Sequence, residues 1–252
     1  MEEGLHISLA QQHLGTFMGL PITPTLVTSW VVVVILLATA FFVGRNLKMI
    51  PGKMQVIFEG LIGGVYDYVK EALEDEKSAK RYFPLIMTIF LFILFANWIG
   101  LTPFMEAIGF HTETGGVEGF VPLFYPANAD FNIPLALAII SFLTIEISGV
   151  VYLGALTYGG KFLSFKSPID FAVGVLELIG DLARLISLSF RLFGNILAGH
   201  LLIIVIMFFI PYLLPIPFMA FEIFIGFMQA AIFAMLTLFF IKLAIAEPHG
   251  AH

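Results

Sequence analysis

The sequence contains no cysteine and very little charge. Asp, Glu, Lys and Arg make up 12% of its 252 residues, whereas 60% are hydrophobic and the mean hydropathy is +1.00. Without cysteine there is no disulfide, thiolate nucleophile or Cys-ligated metal centre. Twelve basic residues against eighteen acidic ones, a net charge of −6, argue against a nucleic-acid-binding surface. Soluble domains average about 25% charged residues, so this composition predicts a chain that resides in a bilayer.

Five stretches are apolar over the length that a membrane-spanning helix needs, about 20 residues. They predict an all-α, polytopic membrane protein in which residues 1–252 form a single membrane domain. The predicted parts are an outer amino-terminal tail (1–24), spans at 25–43, 82–103 and 131–154, a long fourth span at 168–210 and a last span at 218–243.

The basic residues predict the orientation of these spans. Ten of the twelve fall in three places: seven between residues 44 and 81, two at Lys161 and Lys166, and one at Lys242. The loop 104–130 has none. Because cytoplasmic loops are enriched in Lys and Arg, this pattern places the amino terminus outside and the carboxyl terminus inside.

Part of the first inner loop has helical periodicity. From Met54 to Leu73 apolar residues recur at helical spacing, whereas Asp67, Lys70 and Glu71 lie off that stripe. We expect residues 54–76 to form an amphipathic helix that lies in the membrane interface. A helix packed on a soluble partner is the alternative.

The fourth span is too long to stand upright in a bilayer. Forty-three helical residues measure about 64 Å, roughly twice the 30 Å of a hydrocarbon core. The segment is either a hairpin of two short passes or a single helix that is steeply tilted or bent. A hairpin would send Lys242 outside, so the charge pattern favours the single tilted helix.

Polar residues inside the fourth span are candidates for function, because a charge there costs on the order of 2.5–3.5 kcal/mol. Their spacing places five of them on one helical stripe: Glu177, Asp181, Arg184, Arg191 and Asn195. An internal salt bridge between Asp181 and Arg184 is the alternative to a functional role for that pair. Arg191 has no acidic residue within a turn or two and keeps its charge, so it needs a carboxylate from elsewhere.

The last span provides matching polar groups. If the last two spans pack as an antiparallel pair, the residue numbers of any two residues that face each other add up to nearly the same value. Two polar pairs meet this condition. One is Arg191 with Gln229, which predicts a buried arginine beside an amide. The other is His200 with Glu222, an imidazole beside a carboxylate, which is suited to relaying protons.

The same geometry divides the membrane into two halves. Glu177 and Asp181 lie on the inner side of Arg191, whereas His200 and Glu222 lie between it and the outer turn. The sequence therefore predicts two polar half-paths, one from each face, separated by a fixed cation. A continuous path would dissipate a gradient, whereas two offset half-paths joined by a moving carboxylate on another protein would harness it.

Two segments resemble the signature helices of subunit a of the F-type ATP synthase: SLSFRLFGNILAGH at 187–200 and FEIFIGFMQAAIFAMLTL at 221–238. MIPGKMQVIFEG, FPLIMTIFLFILFANWIGLTPF and NADFNIPLALA are similar to that family as well. The resemblance covers the chain from about residue 25 to the carboxyl end. It implies a proton-translocating stator subunit of the membrane Fo sector, whose two offset half-channels load and unload the carboxylates of a rotating c-ring and so drive ATP synthesis.

The resemblance also implies roles for single residues. Arg191 matches the essential arginine that faces the c-ring, Gln229 matches its amide partner, and Asn195 matches the asparagine one turn on. Three residues match positions of the outer half-channel: His200, Glu222 and Asp130.

On the inner side the matching glutamate is Glu177, with the less secure Asp181 one turn away. Glu146, in the third span, matches no family residue. A protonated or locally hydrogen-bonded acid and a residue that lines a proton path are the two alternatives for it.

The implied partners are the c-ring, the peripheral-stalk subunit b, the remainder of the F1Fo complex and membrane lipid, with no nucleic acid. The chain itself is expected to be a non-nucleotide-binding subunit with no catalytic site, cofactor or metal of its own. The implied location is a bacterial plasma membrane or, alternatively, a mitochondrial inner membrane. The sequence leaves open whether the coupling ion is H⁺ or Na⁺, because the binding site of the ring largely decides it.

Two other functions are open to a chain of this composition. A self-contained proton-coupled secondary transporter also places ionisable residues at mid-membrane, but such folds carry inverted repeats and none is evident here. A catalytic membrane enzyme is disfavoured because the six histidines lack metal-ligand spacing, apart from His249 and His252. GALTYGGK at 154–161 has glycine where a nucleotide-binding loop requires lysine.

Overall fold

The computed structural model describes residues 14–17, 19–45, 51–102, 104–114, 117–162, 168–211 and 213–246. The helices in these ranges are α1 (Pro24–Arg45), α2 (Lys53–Leu73), α3 (Glu76–Gly100), α4 (Phe104–Ala107), α5 (Asn132–Leu153), α6 (Ala155–Phe162), α7 (Pro168–Phe209) and α8 (Pro215–Ile245). Two short antiparallel hairpins pair β1 (Gly15–Phe17) with β2 (Leu20–Ile22) and β3 (Gly109–Thr114) with β4 (Val117–Pro122). A 3-10 turn lies at Ala127–Ala129.

Five of these helices are long and apolar enough to cross a membrane, namely α1, α3, α5, α7 and α8. Each of them contains one of the five predicted spans almost entirely. The predicted class, an all-α polytopic membrane protein, is therefore confirmed.

Helix α8 lies at the centre of the bundle, in contact with α3, α5 and α7. Small residues recur every fourth position along it at Gly226, Ala230 and Ala234, and all three are buried. A Cβ on Gly226 would approach the Cβ of Asn97 on α3 to 3.0 Å. Small residues at such spacing let helices approach closely, which is how helices associate in a medium that supplies little hydrophobic drive.

Helix α2 ends at Leu73, three residues before the predicted end of the interfacial helix at residue 76. Glu74 adopts a left-handed conformation (φ 57°) that ends α2. Asp75 then caps α3 by accepting hydrogen bonds from the backbone N–H groups of Lys77 (3.3 Å) and Ser78 (2.8 Å). Such a cap satisfies N–H groups that have no partner within the helix, and it starts α3 six residues before the predicted span.

The carboxyl end of α8 lies beside this junction. Lys242 Nζ donates to Glu74 Oε1 at 2.7 Å, and this hydrogen bond holds the pKa of the Glu74 carboxyl below its ordinary value. The contact brings Lys242 to the same end of the bundle as the basic segment 44–81, as the charge pattern requires. Lys48 and Lys166, which also entered that pattern, lie outside the described residues.

Helix α7 is one continuous helix of 42 residues, about 63 Å long at 1.5 Å per residue. The alternative of a hairpin with two short passes is therefore wrong. The turn that follows it is shorter than predicted, since α8 begins at Pro215 rather than at residue 218. Proline is favoured at the first position of a helix, where its missing N–H costs nothing.

Parts of the amino-terminal tail and of the loop 104–130 form strands that the sequence did not predict. In the tail, Gly19 (φ 83°) occupies the turn between β1 and β2. In the loop 104–130, β3 pairs with β4 in a register that aligns His111 with Phe120. Both hairpins are short and rely on tertiary context, because two isolated strands are marginally stable in water.

The packing of α5 against α8 can be tested by cross-linking. Thr237 Oγ1 on α8 donates to Ser141 Oγ on α5 at 3.3 Å, and both residues are fully buried. Because the sequence has no cysteine, a Ser141→Cys, Thr237→Cys double variant needs no background substitutions in this chain. We expect mild oxidation to form a disulfide within it, seen as a mobility shift that a reductant reverses. The same shift with Ser187→Cys, on the exposed side of α7, in place of Ser141→Cys would contradict this packing.

Candidate functional site

The polar stripe along α7 runs on the flank between its buried and exposed faces. Asp181 is 5% exposed, and Glu177 and Arg184 are half-buried. Arg191 and Asn195, further along the same stripe, are exposed. The expectation that Arg191 is buried is therefore wrong for the chain by itself, because none of the helices that the structure describes covers this side of α7.

The guanidinium of Arg191 is weakly held within the chain. Among the residues that the structure describes, its one recorded hydrogen bond runs from Nη2 to Ser187 Oγ at 3.4 Å. Gln229, its expected amide partner, is buried on α8, and no hydrogen bond joins the two side chains. A permanent charge on a membrane helix with so little internal compensation points to a partner outside the chain.

Small side chains surround Arg191 on the exposed face of α7. Residues of this face that have little or no side chain are Gly180, Ala183, Ser187, Gly194 and Ala198. A Cβ at Gly180 or Gly194 would meet no atom within 4 Å. The face is therefore shallow, and another helical surface can approach it closely.

His200 and Glu222, predicted to face each other, come together where α7 meets α8. They are 8% and 7% exposed and line one pocket. A methyl group on Gly199, next to His200, would overlap the Glu222 carboxyl. The ring of Tyr125 lies edge-on to the His200 imidazole, with centroids 5.1 Å apart.

Two buried asparagines extend this pocket, and the sequence analysis did not single them out. Asn128 Nδ2 donates to Asn97 Oδ1 at 2.7 Å, and Asn97 Nδ2 donates to the Gly226 carbonyl at 3.0 Å. Asn97 lines the same pocket as His200 and Glu222. The sequence did contain a signal for Asn97, because its amide lies within the apolar segment FANWIG. A polar group buried in a membrane requires hydrogen-bonding partners.

Asp130 lies just beyond the 3-10 turn that carries Asn128. Its Oδ2 accepts a hydrogen bond from Thr25 Oγ1 at 2.9 Å, and its Oδ1 accepts one from the Asn132 backbone N–H at 3.0 Å. The carboxyl is half-buried, which leaves part of it accessible from outside the bundle. Asp130, the two asparagines, His200 and Glu222 are called the His200 cluster below.

A second polar group of side chains surrounds a cavity of about 210 Å³ between α5, α6, α7 and α8. Its polar lining residues are Glu146, Tyr158, Glu177, Asp181 and Arg184, and we name it the Glu177 cavity. Asp181 Oδ1 and Arg184 Nη1 form the expected internal salt bridge at 2.9 Å. The Arg184 guanidinium also stacks over the Phe240 ring, 4.2 Å from its centroid, which stabilises a half-buried cation.

Apolar packing separates the His200 cluster from the Glu177 cavity. Leu188 and Leu192 lie between them on the inward face of α7 and are 4% and 1% exposed. Arg191 is at the same level but on the outward flank. Asp181 is ten residues from it in one direction and His200 nine in the other, about 15 Å and 13 Å along the helix.

Among the described residues, no group of three or more His, Asp or Glu side chains is placed to hold a metal ion. His249 and His252, the pair with the closest spacing, lie outside the described residues. What the arrangement can do is exchange protons, since both polar groups combine titratable side chains with buried hydrogen-bonding partners.

Comparisons with known proteins agree with the resemblance seen in the sequence. The family model described as ATP synthase A chain matches residues 26–242. A curated relative, ATP synthase subunit a of Geotalea daltonii, is 34% identical over 226 residues, which cover 88% of this chain and 87% of the relative. ATP synthase subunit a of Mycobacterium marinum is 32% identical over 252 residues, 98% of this chain and 96% of the relative.

The contact between Gly199 and Glu222 predicts a steric effect. Gly199→Ala should displace the Glu222 carboxyl and destabilise the protein by about 1–3 kcal/mol, as overpacking of a buried contact usually does. Adding Glu222→Asp, which shortens the side chain, should recover part of the loss. The measurement is the midpoint of thermal unfolding in detergent. Gly180→Ala is the matched control, and an equal loss there would contradict the contact.

Proposed function

Since this chain belongs to the ATP synthase A chain family, we propose that it transfers protons between the two membrane faces and a partner ring through two half-paths that flank Arg191. Subunit a of this family is the proton-channel subunit of the Fo sector, and the chain serves proton transport in ATP synthesis.

The observation that carries the proposal is the position of Arg191. Its guanidinium is exposed on a shallow membrane-facing surface and has one weak hydrogen bond within the chain. At 4 Å, a carboxylate on a partner would gain roughly 4 kcal/mol from this cation before desolvation, for an effective dielectric near 20. An interaction of this size lowers the pKa of an approaching ring carboxyl substantially. The carboxyl therefore releases its proton when it reaches Arg191.

The His200 cluster is the proposed outer half-path. Asp130 forms its mouth, and His200 and Glu222, whose side chains line one pocket, pass protons to the ring carboxyl. A carboxyl neutralised in this way can enter the lipid at little cost, whereas an ionised one cannot. Asn97 and Asn128 make the pocket polar, and the hydrogen bond from Asn97 to the Gly226 carbonyl joins α3 to α8 beside it.

The Glu177 cavity is the proposed inner half-path, which receives protons released at Arg191. Its volume has room for several waters, and Glu177 and Asp181 line it. Leu188 and Leu192 block a direct route from the outer half-path. The gradient, worth about 2.3 kcal/mol per charge for each 100 mV, then biases the ring to rotate in one direction.

The partners follow from this mechanism. The face of α7 that carries Arg191, Gly194 and Asn195 is proposed to contact a c-ring, with Asn195 one turn from the arginine. Gln229, the amide partner that the resemblance implies, is buried on α8. A steep tilt of α7 lets one long helix follow the curved ring. Subunit b and lipid cover the remaining apolar surface, and α2 lies in the membrane interface. The membrane is a bacterial plasma membrane, with the amino terminus outside.

Replacement of the arginine is the direct test. Arg191→Ala should lower proton-driven ATP synthesis by the assembled complex in vesicles by more than 100-fold, since nothing ionises the ring carboxyl or blocks direct proton passage. The same variant should leak protons when the catalytic sector is removed. Arg45→Ala, an exposed arginine at the end of α1, is the control. Full coupled synthesis by Arg191→Ala, or robust transport by the chain without a ring, would refute the proposal.

The His200 and Glu222 pair predicts that the two residues can exchange places. His200→Glu alone puts two carboxyls in one small pocket, where like charges oppose each other, and should strongly reduce ATP-driven proton pumping. His200→Glu combined with Glu222→His restores one imidazole and one carboxyl, and we expect it to regain part of the activity. Pumping is measured by quenching of a pH-sensitive dye. A double variant no better than the worse single variant would show that the two residues do not act as a pair.

A further inference from the structure

We propose that Glu146 is a further proton-exchanging carboxyl of the Glu177 cavity, held in position by Tyr158. Glu146 lies on α5 and Tyr158 on the short helix α6, so the two residues line the side of the cavity that α7 does not form. The inference rests on the proposed function, because it adds a residue to the inner half-path.

The turn between α5 and α6 is built to place Tyr158 against α5. Gly154, with φ 84°, adopts a conformation that other residues rarely take and lets the chain reverse. The Tyr158 ring then packs on Gly149, where an added methyl group would overlap it. Tyr158 is 5% exposed, and its hydroxyl donates to Glu146 Oε2 at 3.1 Å. Two glycines thus fix the ring, and the ring fixes the orientation of the carboxyl.

The chemistry of the cavity favours proton exchange at Glu146. Three carboxyl groups line it (Glu146, Glu177 and Asp181), together with the single guanidinium of Arg184. Helix α8 contributes Phe240, Leu243 and Ala244, none of which titrates. A cavity with more carboxylates than cations raises the local concentration of protons, and its waters can connect carboxyls that do not touch.

Tyr158 acts as a positioning residue rather than a proton carrier. Burial, and then the adjacent Glu146 carboxylate, raise the pKa of its hydroxyl above the ordinary value, so it remains a protonated donor. Glu146 accepts, through the water of the cavity, a proton that the ring carboxyl has released at Arg191. It then passes this proton to water at the aqueous end, where it leaves as hydronium. Both side chains end each cycle unchanged, and no other reactant is needed.

The test uses the complete complex in vesicles, with passive proton conduction measured after removal of the catalytic sector. Glu146→Gln should lower conduction about tenfold, less than the 100-fold or more that a positioned side chain contributes to one proton transfer, because Glu177 still lines the cavity. It should also remove one step from the dependence of conduction on inner pH. Glu146→Asp should restore that step, and Tyr158→Phe should shift its midpoint.

The controls separate a role in conduction from a role in folding. Glu59→Gln changes an exposed carboxyl on α2, and Tyr152→Phe removes a hydroxyl that bonds to Ser78 and does not line the cavity. Water access is tested independently with Glu146→Cys, since this chain has no other cysteine. Silver ions should block conduction through it and not through Ile147→Cys, since Ile147 is 59% exposed and does not line the cavity.

Two results would overturn the inference. One is a wild-type conduction and pH profile in Glu146→Gln while Glu177→Gln is impaired, which leaves the proposed function intact. The other is a Glu146→Cys variant that silver ions do not inhibit. Failure of the proposed function has a different signature, because coupled synthesis would then survive Arg191→Ala whatever Glu146 does.

Discussion

The cost of placing a charge in a medium of low dielectric is the constraint on which the rest of this structure depends. Several polar side chains in the described part of the chain have a partner at short range. Asp181 pairs with Arg184, Asp130 accepts a hydrogen bond from Thr25, and Asn97 bonds to the backbone of the next helix. Among the described residues, Arg191 has one weak contact, to Ser187. Because a cation with so little compensation is expensive within a bilayer, we propose that a second protein completes the charge balance at this surface.

Small residues make the pairing possible. Gly226 lets α3 approach α8 closely enough for Asn97 to reach a backbone carbonyl. Gly199 leaves room for the Glu222 carboxyl against α7, and Gly149 does the same for the Tyr158 ring against α5. In each case the glycine removes a side chain so that a polar group on a neighbouring helix occupies the space. Packing and electrostatics are therefore joined in this fold, because the close approach of backbones determines which polar groups meet.

Much of the architecture followed from local patterns in the sequence. Long apolar stretches predicted five spans, and the sum rule for antiparallel helices predicted that His200 and Glu222 lie together, because both signals depend only on helical geometry. The hairpins were missed because their strands are short and depend on tertiary contacts. The depth of Arg191 was misjudged because sequence spacing gives a helical face but does not tell which neighbours cover it. Asn97 and Asn128 were not assigned to either polar group, since their hydrogen bonds join segments that are distant in the sequence. Tyr158 was not assigned because its contact with Glu146 depends on the turn at Gly154, which the sequence did not predict.

The sequence by itself determined that this protein is a helical membrane protein, which family it belongs to, and that four charged residues, Glu177, Asp181, Arg184 and Arg191, lie within one long apolar span. Composition, periodicity and motifs indicate these properties, and none of the three depends on which helices are in contact. Only the tertiary structure decided that Asn97 bonds to the backbone of α8, that Glu146 shares a cavity with Glu177, and that Arg191 faces outward. The physical reason is that these outcomes depend on distances between separate helices, and close packing around α8 sets those distances.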